Sequence, residues 1–315
     1  MSMAGLLRGN WNKSCFHFKN GGTDYDMVGR KQNPQLIQQE TKVAVTRRDI
    51  VDALRRLGVS RGDVVLVHSS LKSLGYVEGG ADTVIQAFLE AVGEEGTLVM
   101  PTLIQKDFAN AYKTWYLDKP SDVGYITEVF RHYPGAIRSD QATHSVAALG
   151  PRAEELTKDH GAFGLRHGPF GETPFALSSP WQKLYDWDAK VVLLGVNMDK
   201  NTLKHLTEYC LIEEALCQVD SPAEREKLKG RLWHHGCTPE SGKLWPFYDS
   251  LLMQGEADRA GLLRKTQCGQ AQVIEYQAKA SCDFAGTLLR TQPERWFTPP
   301  MRQWLAECRA AAFPG

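Results

Sequence analysis

The feature that most constrains this chain is a pair of short apolar runs separated by a loop and a helix-like segment. Residues 64–68 and Thr97–Pro101 each have the length of one buried strand, and the first run is rich in β-branched residues. Between them, the loop 69–80 leads into a segment from Ala81 or Asp82 to Ala91 whose apolar residues recur at helical spacing. Strand, helix and strand in this order predict a crossover with parallel strands. The chain is therefore expected to have an α/β fold.

The flanking sequence predicts further elements of the same two kinds. Thr46 is expected to cap a helix that ends at Gly58, and residues 190–196 form the clearest strand pattern of the chain. A further helix is expected from a cap at Asn201 or Thr202 to about Cys217. We also predict helices over 126–132, 152–158, 180–185 and 300–312, a strand over 145–150, a strand or helix over 278–289, and irregular structure over 220–270.

Composition and charge exclude several classes of partner. The chain has 37 Lys plus Arg and 37 Asp plus Glu, so no net field draws it to nucleic acid or to an anionic membrane. Its apolar runs fall far short of the roughly 20 residues that span a bilayer. Residues 1–13 lack the apolar region of a secretory signal, and the seven cysteines contain no CxxC pair. We therefore expect a cytoplasmic protein with reduced thiols.

The polar, aperiodic residues 1–44 are expected to form an extension, as a mobile leader or a surface wrap. No clear linker and no internal repeat follow them, so residues 45–315 are expected to form one domain.

Hydroxyl-bearing and small residues cluster in the loop after the first predicted strand. Ser69, Ser70, Ser73 and Gly75 lie there, and residues 79–83 begin the next helix. Ligands of α/β proteins bind at the carboxyl ends of the strands, where these N–H and O–H donors suit an extended polar or phosphorylated molecule. A serine-rich turn beside a capped helix has the same composition, so the residue types alone leave both interpretations open.

A histidine and a glutamate share one face of the helix expected after residues 190–196. His205 and Glu208 are three residues apart, so the carboxylate can hold the imidazole and raise its basicity. A histidine at the beginning of a helix beyond a strand is well placed to act as a general base. A solvated surface His–Glu pair is the alternative that the pattern leaves open.

Five motifs in order resemble the antibiotic N-acetyltransferase family, whose best-known members are aminoglycoside 3-N-acetyltransferases. They are LVHSSLKSLGYVEGGADTV, TLVMPT, HSVAALG, VVLLGV and NTLKHLTEY, and the resemblance runs from about Thr46 to Tyr209. It implies a single α/β domain with a central mixed sheet flanked by helices, distinct from the GNAT fold. It also implies an acyltransferase that moves the acetyl group of acetyl-CoA directly to a small-molecule amine, without a covalent acyl-enzyme. The implied acceptor is an amino group of an aminoglycoside-type antibiotic or a related natural product.

The resemblance also assigns site residues. His205 matches the family's catalytic histidine, with Glu208 or Asp249 as its orienting carboxylate and His144 as a secondary site residue. The acetyl-CoA wall corresponds to His68, Ser69, Ser70, Leu71, Lys72, Ser73, Gly75, Gly80, Thr83, Pro101, Thr102 and Ser145. Three aromatic residues of the loop 105–124 are candidates for the acceptor site unless they belong to the core: Tyr112, Trp115 and Tyr116.

Three departures from the family pattern bear on the acceptor. Many members have His-Pro where this chain has Gln141-Ala142, and an apolar residue where it has Lys204. Aminoglycoside-modifying members carry several carboxylates some thirty residues after the histidine. The corresponding residues 242–253 of this chain contain one acidic residue, Asp249. A cation with several ammonium groups is usually bound by an acidic cleft, so these differences favour a flatter, less cationic acceptor.

Other hypotheses remain open at this point. One is a biosynthetic acyltransferase that uses another acyl-CoA or a non-aminoglycoside acceptor, and another is a CoA-binding protein without turnover. We predict no metal site, because His234, His235 and Cys237 lack a fourth ligand at a fixed spacing. Cys210 is expected to be a buried structural thiol rather than a nucleophile. A homodimer is left open.

Overall fold

A mixed β-sheet organises the computed structural model, which describes residues 44–235 and 242–312. Its strands are β1 (Val64–Ser69), β2 (Thr97–Pro101), β3 (Ile137–Arg138), β4 (Val146–Leu149), β5 (Lys190–Leu194), β6 (Arg264–Cys268) and β7 (Ala271–Gln277). Their order across the sheet is β3-β4-β2-β1-β5-β7-β6. β1 pairs in parallel with β2 and with β5, and the other neighbouring pairs are antiparallel. The expected α/β class, the mixed sheet and the parallel crossover are confirmed.

Helices flank this sheet. They are α1 (Arg47–Arg56), α2 (Gly80–Val92), α3 (Ala111–Thr114), α4 (Tyr125–Arg131), α5 (Ala153–Thr157), α6 (Pro180–Asp186), α7 (Lys204–Cys217), α8 (Pro222–Lys229), α9 (Ser250–Arg259), α10 (Ala278–Thr291), α11 (Pro293–Trp296) and α12 (Pro299–Ala312). Short 3₁₀ turns occur at Leu71–Leu74, Phe108–Asn110 and Met198–Lys200. None of the helices in the described ranges is both long and apolar enough to cross a bilayer.

Successive side chains of the central strands point to opposite faces of the sheet, and an apolar layer covers each face. Val65 and Val67 of β1 belong to a cluster with residues of α1, α2 and α4. Leu66 of β1 and Val191 of β5 belong to a second cluster with residues of α6, α7, α10 and α12. Because both faces of β1 and β5 are covered, their sequences are continuously apolar. This double burial is the reason that these strands are recognisable in the sequence.

Helix α1 begins at the residue that the sequence indicates. Thr46 Oγ1 accepts a hydrogen bond from Asp49 N, and Asp49 Oδ2 accepts one from Thr46 N at 2.8 Å, which together form a capping box. The helix ends before Gly58, whose φ of +85° is in the region that favours glycine. The predicted cap and stop are both confirmed.

The expectation of irregular structure over residues 220–270 is wrong. The segment contains α8, α9 and β6. The Ser221 side chain caps α8 by accepting from Glu224 N, and Asp249 caps α9. Most of α8 and β6 is exposed, so an apolar pattern is missing although the elements are regular. Residues 278–289, for which a strand or a helix was expected, lie in helix α10, and β7 precedes them.

The prediction that residues 1–44 form a mobile leader or a surface wrap concerns positions that lie outside the described residues, apart from Ala44. The prediction that residues 45–315 form one acyltransferase domain stays a proposal.

Thr46→Ala is expected to lower the free energy of unfolding by about 1 kcal/mol, because the backbone N–H of Asp49 loses its capping oxygen. Thr46→Ser is the matched control, since it keeps the hydroxyl and should retain most of the stability. Urea denaturation measures both variants. Equal stability of the alanine and serine variants would show that the cap contributes nothing.

Candidate active site

Two loops meet at the carboxyl edge of the sheet, where β1 and β5 lie side by side. Ser70 N donates to Leu194 O at 2.9 Å, immediately beyond the last paired residues of the two strands. The chain leaves β1 towards β2 on one side, while β5 lies on the other side, so the crevice between them is a topological switch point. At Gly195, φ is +69° and an added Cβ would lie 2.7 Å from Cβ of Ser73. Glycine therefore allows the two loops to approach closely.

A cavity of about 940 Å³ opens at this crevice. One wall comes from β1, the loop after it and the end of β2, and a second wall comes from the segment after β2 and the start of α4. A third comes from the β5–α7 connection, and His144 completes the lining. The lining residues are His68, Ser69, Ser70, Leu71, Lys72, Gly75, Pro101, Leu103, Gln105, Asp122, Val123, Gly124, Tyr125, Ile126, Thr127, His144, Val196, Asp199, Lys200, Asn201, Thr202, Lys204 and His205.

A histidine–glutamate pair lies at the boundary between this cavity and the core. His205 Nδ1 is 2.8 Å from Glu208 Oε2, and the same carboxylate oxygen accepts from Trp245 Nε1 at 3.0 Å. The Glu208 side chain is 0% exposed, whereas that of His205 is 15% exposed. The pair is therefore a buried dyad with one accessible member, and the surface His–Glu alternative is excluded.

The hydrogen bond to Glu208 determines which nitrogen of the His205 imidazole carries the proton. A carboxylate accepts hydrogen bonds, so the neutral His205 ring donates through Nδ1–H to Glu208 and leaves the lone pair on Nε2. A proton taken up at Nε2 creates an imidazolium beside a buried carboxylate, which stabilises it. This arrangement suits a general base.

Three phenylalanine rings pack near the His205 imidazole. The ring centroid of Phe170 lies 4.7 Å away, that of Phe175 5.9 Å and that of Phe247 6.2 Å. Tyr209, one turn along α7 from His205, accepts a hydrogen bond from Phe170 N and donates one to Gly171 O, each at 3.0 Å. Helix α7 thus carries His205 and also anchors the loop that packs against it.

His144 faces the same point from β4's leading end. Its ring centroid is 6.0 Å from that of His205, and its Nδ1 is 3.0 Å from Thr143 Oγ1. Burial, together with the neighbouring His205 and His160, holds the pKa of His144 well below its usual range. His144 is therefore a neutral, polar neighbour of His205.

Lysines outnumber carboxylates among the described residues that line the cavity. The lining contains three lysines, Lys72, Lys200 and Lys204, and two aspartates, Asp122 and Asp199. Asp122 accepts hydrogen bonds from the backbone N–H groups of Gln105 and Lys106, and Asp199 pairs with Lys200 at 2.8 Å. The cavity is thus polar and slightly basic, as the binding of a phosphorylated molecule requires.

Only some of the residues that were expected to form the acetyl-CoA wall line the cavity. Seven of its residues line the cavity: His68, Ser69, Ser70, Leu71, Lys72, Gly75 and Pro101. The others, Ser73, Gly80, Thr83, Thr102 and Ser145, lie outside the lining. Ser73 Oγ donates to Ser70 Oγ at 2.9 Å, and the hydroxyls of Thr102 and Ser145 lie 2.9 Å apart within reach of Arg138. Ser73, Thr102 and Ser145 can therefore support the wall through hydrogen bonds, and a role for these five residues in binding acetyl-CoA stays a prediction.

The three acceptor candidates also lie outside the cavity lining. Tyr112 donates its hydroxyl to Phe170 O at 3.0 Å, and Trp115 donates to Asp140 Oδ1 at 2.7 Å. Tyr116 is exposed. Tyr112 is connected to the base through Phe170, whereas Trp115 stacks under Arg138.

Two expectations about the ends of helices near the site are corrected. Asp249 does not orient His205, because its Oδ1 accepts from the backbone N–H groups of Leu251 and Leu252 as the cap of α9. The N-cap of α7 is Leu203, and neither Asn201 nor Thr202 caps that helix with its side chain. Asn201 Oδ1 instead accepts from Leu203 N at 3.0 Å, which shapes the turn before α7.

Comparison with known proteins by sequence identifies the family of this chain. Residues 66–290 match the family described as aminoglycoside 3-N-acetyltransferase. The chain belongs to this family. The YokD protein of Bacillus subtilis, named as a prophage-derived aminoglycoside N(3')-acetyltransferase-like protein, is 36% identical over 208 residues, which are 59% of this chain and 73% of YokD. Aminoglycoside N(3)-acetyltransferase VII of Streptomyces paromomycinus is 30% identical over 269 residues, which are 76% of this chain and 90% of that protein.

Solved structures share the fold of this acyltransferase family. The crystal structure of YokD from Bacillus subtilis matches with a TM-score of 0.58 at 26% identity and covers 82% of this chain and 97% of that one. The structure of AAC-IIIb as a binary complex with CoASH matches with a TM-score of 0.59 at 23% identity and covers 81% and 98% of the two chains.

One departure from the family pattern has a structural role here. Gln141, which stands where many members have histidine, uses both ends of its side-chain amide. Its Oε1 accepts from the backbone N–H groups of Thr143 and His144, and its Nε2 donates to Tyr112 Oη at 2.9 Å. Gln141 therefore fixes the turn that places His144 beside the base.

Sequence reasoning missed two residues that define the dyad's surroundings. Trp245 lies in the stretch that was noted only for its lack of carboxylates, and its indole N–H is the second donor to Glu208. Phe170 lies in a glycine- and proline-containing loop without a periodic pattern. Neither residue carries a local signal, because both act through contacts that are distant in sequence.

Protein stability is expected to fall as the pH is lowered, because two histidines near the site are buried in the neutral form. Burial lowers the pKa of His68 from 6.5 to about 3 and that of His160 from 6.5 to about 4. Below pH 6.5 the unfolded chain binds more protons than the folded one, so stability present above pH 6.5 is lost towards pH 4. At about pH 5 each of these two histidines is expected to lower the free energy of unfolding by about 2 kcal/mol.

Urea denaturation of His160→Gln measures this contribution. The drop in the free energy of unfolding between about pH 7 and about pH 5 should be smaller than in the unmodified protein by roughly 2 kcal/mol. His132→Gln, at a side chain that is 54% exposed, is the control for the substitution itself and should show a larger drop than His160→Gln. The same drop in both variants would contradict a neutral buried His160.

Proposed function

We propose that this chain is an acetyl-CoA-dependent N-acetyltransferase in which His205 is the general base. The observation that carries the proposal is the His205–Glu208 dyad, which leaves an accessible Nε2 at the edge of the cavity. The acceptor class that family membership supports is an amino group of an aminoglycoside-type antibiotic or a related natural product.

The cavity supports acetyl-CoA as the donor. Lys72 can pair with a phosphate, and the loop after β1 offers hydroxyls and backbone N–H groups to a long polar chain. His68 adds a buried Nε2 for which the described residues provide no hydrogen-bond partner, as in a wall that is completed by a ligand. A protein of the same fold, AAC-IIIb, was solved with CoASH.

The chemistry assigned to this chain is proton transfer and positioning. Acetyl-CoA supplies an acetyl thioester, which is activated towards an amine. An aliphatic amine is mostly protonated at neutral pH and has no lone pair until it loses a proton. Once the amine is neutral, His205 Nε2 accepts a proton from the nitrogen as it forms the C–N bond to the thioester carbonyl carbon, and Glu208 stabilises the resulting imidazolium. The C–S bond then breaks, and the imidazolium returns the proton to the departing CoA thiolate. Holding both reactants beside the base converts a bimolecular encounter into a local one.

His205→Ala is expected to lower kcat/KM for acetyl transfer by about 10²- to 10⁴-fold, because the amine loses its proton acceptor. Thiol release from acetyl-CoA with an amine panel measures the loss. The Kd for CoA should stay within about two-fold, since a base that acts only in the transition state adds little to donor binding. Unchanged turnover in this variant would exclude His205 as the base.

Glu208→Gln is expected to lower kcat by about 10²-fold or more, because an amide of the same shape cannot stabilise the imidazolium or impose the tautomer. Glu214→Gln on the same helix is the matched control, since Glu214 forms a surface ion pair with Arg290. Steady-state kinetics should show a normal rate for the control. Equal rates for the two variants would remove Glu208 from the mechanism.

A further inference from the structure

His68 is a polar residue on an apolar face of the sheet. Leu66, two residues before it on β1, and Leu193, its partner in register on β5, both belong to the apolar cluster that includes residues of α7. Successive side chains of a strand alternate between the two faces, so His68 points to the same face as Leu66. This is the face that helix α7 covers, and α7 carries His205 in its first turn.

The fold itself gives one nitrogen of His68 no partner. The residue is 5% exposed, and its Nε2 is buried without a hydrogen-bond partner among the described residues. The buried His160 differs, because its Nδ1 lies 2.9 Å from Ser139 Oγ and its Nε2 lies 3.0 Å from Pro174 O. A buried polar atom without a partner costs free energy. His160 is thus satisfied within the fold, whereas His68 Nε2 needs a partner from outside the described residues.

The cavity can supply this partner, because His68 and His205 both line it. Lys72, which can pair with a phosphate, is exposed, whereas His68 and His144 form a buried part of the lining. In the proposed function the thioester lies within reach of the amine that His205 deprotonates. A buried group that shares the cavity with His205 is therefore a candidate partner for the reacting end of the donor.

The imidazole of His68 is neutral at the pH at which His205 acts as a base. Burial lowers the pKa of His68 from 6.5 to about 3. Near neutral pH its ring therefore has one N–H and one lone pair, and it does not retain a second proton. A neutral imidazole can polarise a carbonyl group through its N–H. Such a donor acts most strongly on an oxygen that gains negative charge in a site without water.

Amine attack on a thioester produces an oxygen of this kind. The amine nitrogen forms a C–N bond to the carbonyl carbon, and the C=O electron pair moves onto the oxygen. When that pair returns, the C–S bond breaks and CoA leaves as the thiolate, which takes the proton from the His205 imidazolium. The proposed role of the His205–Glu208 dyad accounts for the amine proton and leaves the negative oxygen without a donor.

We propose that His68 is a second catalytic residue, whose Nε2–H donates a hydrogen bond to the acetyl carbonyl oxygen of the donor and stabilises the oxyanion that forms on attack. The inference rests on the proposed function, because it assumes acetyl-CoA in the cavity and an attacking amine. It explains why a histidine stands on an apolar face with an unpartnered nitrogen.

Steady-state kinetics with the full chain, acetyl-CoA and the amine that is turned over fastest test the role in catalysis. His68→Leu should lower kcat by about 10²- to 10³-fold, as the loss of one oxyanion donor does. His68→Gln should lose about 10-fold less than His68→Leu, because its amide still offers an N–H. His132→Leu, at a side chain that is 54% exposed, is the control and should keep the normal rate. A normal kcat in His68→Leu overturns the inference.

Binding of CoASH separates the acetyl oxygen from the rest of the donor. CoASH has no acetyl group, so its Kd, measured by calorimetry, should change by less than about two-fold in His68→Leu. A Kd that rises about 10-fold or more would assign His68 to another part of the CoA molecule and would overturn the inference.

Unfolding without CoA tests whether His68 is merely structural. In urea at about pH 7, the unfolding midpoint of His68→Leu should equal or exceed that of the unmodified protein, because the substitution removes an unpartnered nitrogen from an apolar face. His160→Leu is the matched comparison and should unfold at lower urea, since it loses two hydrogen bonds. An equal fall of the midpoint in both variants would make His68 a structural residue and overturn the inference.

Infrared spectra of bound acetyl-CoA with ¹³C at the acetyl carbonyl, recorded without an amine, separate this inference from the proposed function. A hydrogen bond to the carbonyl oxygen lowers its stretching frequency, so the band should lie at a lower wavenumber in the unmodified protein than in His68→Leu. The same wavenumber in both overturns the inference, even if turnover that depends on His205 supports the proposed function. If no amine of the panel releases thiol, the proposed function fails, and the infrared comparison still decides whether His68 contacts the acetyl group.

Discussion

The buried carboxylate of Glu208 is the constraint on which the organisation of the site depends. A buried carboxylate is costly without hydrogen-bond donors, and the described residues supply two to its Oε2, His205 Nδ1 and Trp245 Nε1, while Oε1 is buried without a partner among them. The first bond fixes the tautomer of the His205 imidazole. The second ties the segment before α9 to helix α7, so that Phe247 lies beside His205. One buried acid thus holds the imidazole and a neighbouring segment together.

The position of this dyad follows from the sheet. β1 and β5 are parallel neighbours, so their following loops share one edge, and α7 begins there with His205 in its first turn. His205 lines the cavity, and the ring of Phe170 lies 4.7 Å from the same imidazole. In the proposed function, a base at this position is within reach of a donor that is bound in the cavity.

The sequence predicted the parts of this arrangement that depend on local pattern. β1, β2 and β5 are apolar because both faces are covered, and His205 and Glu208 are close because a helix places residues three apart on one face. Strand β6 and helix α8 were missed because they are mostly exposed, and β6 lies at the sheet edge. Trp245 and Phe170 were missed because their contacts with the dyad are non-local. Asp249 was expected, as the alternative to Glu208, to orient His205 because of the resemblance to the family, and the structure shows it capping α9.

The hydrogen bond from His205 Nδ1 to Glu208, which leaves a lone pair on Nε2, is tested most directly by ¹⁵N NMR of the histidine side chains. His205→Gln identifies the His205 signals by their loss. In the neutral ring, Nδ1 should be protonated and Nε2 unprotonated, because Nδ1 donates to Glu208. A neutral ring that carries its proton on Nε2 would contradict this arrangement, because that nitrogen would have no lone pair for the amine proton.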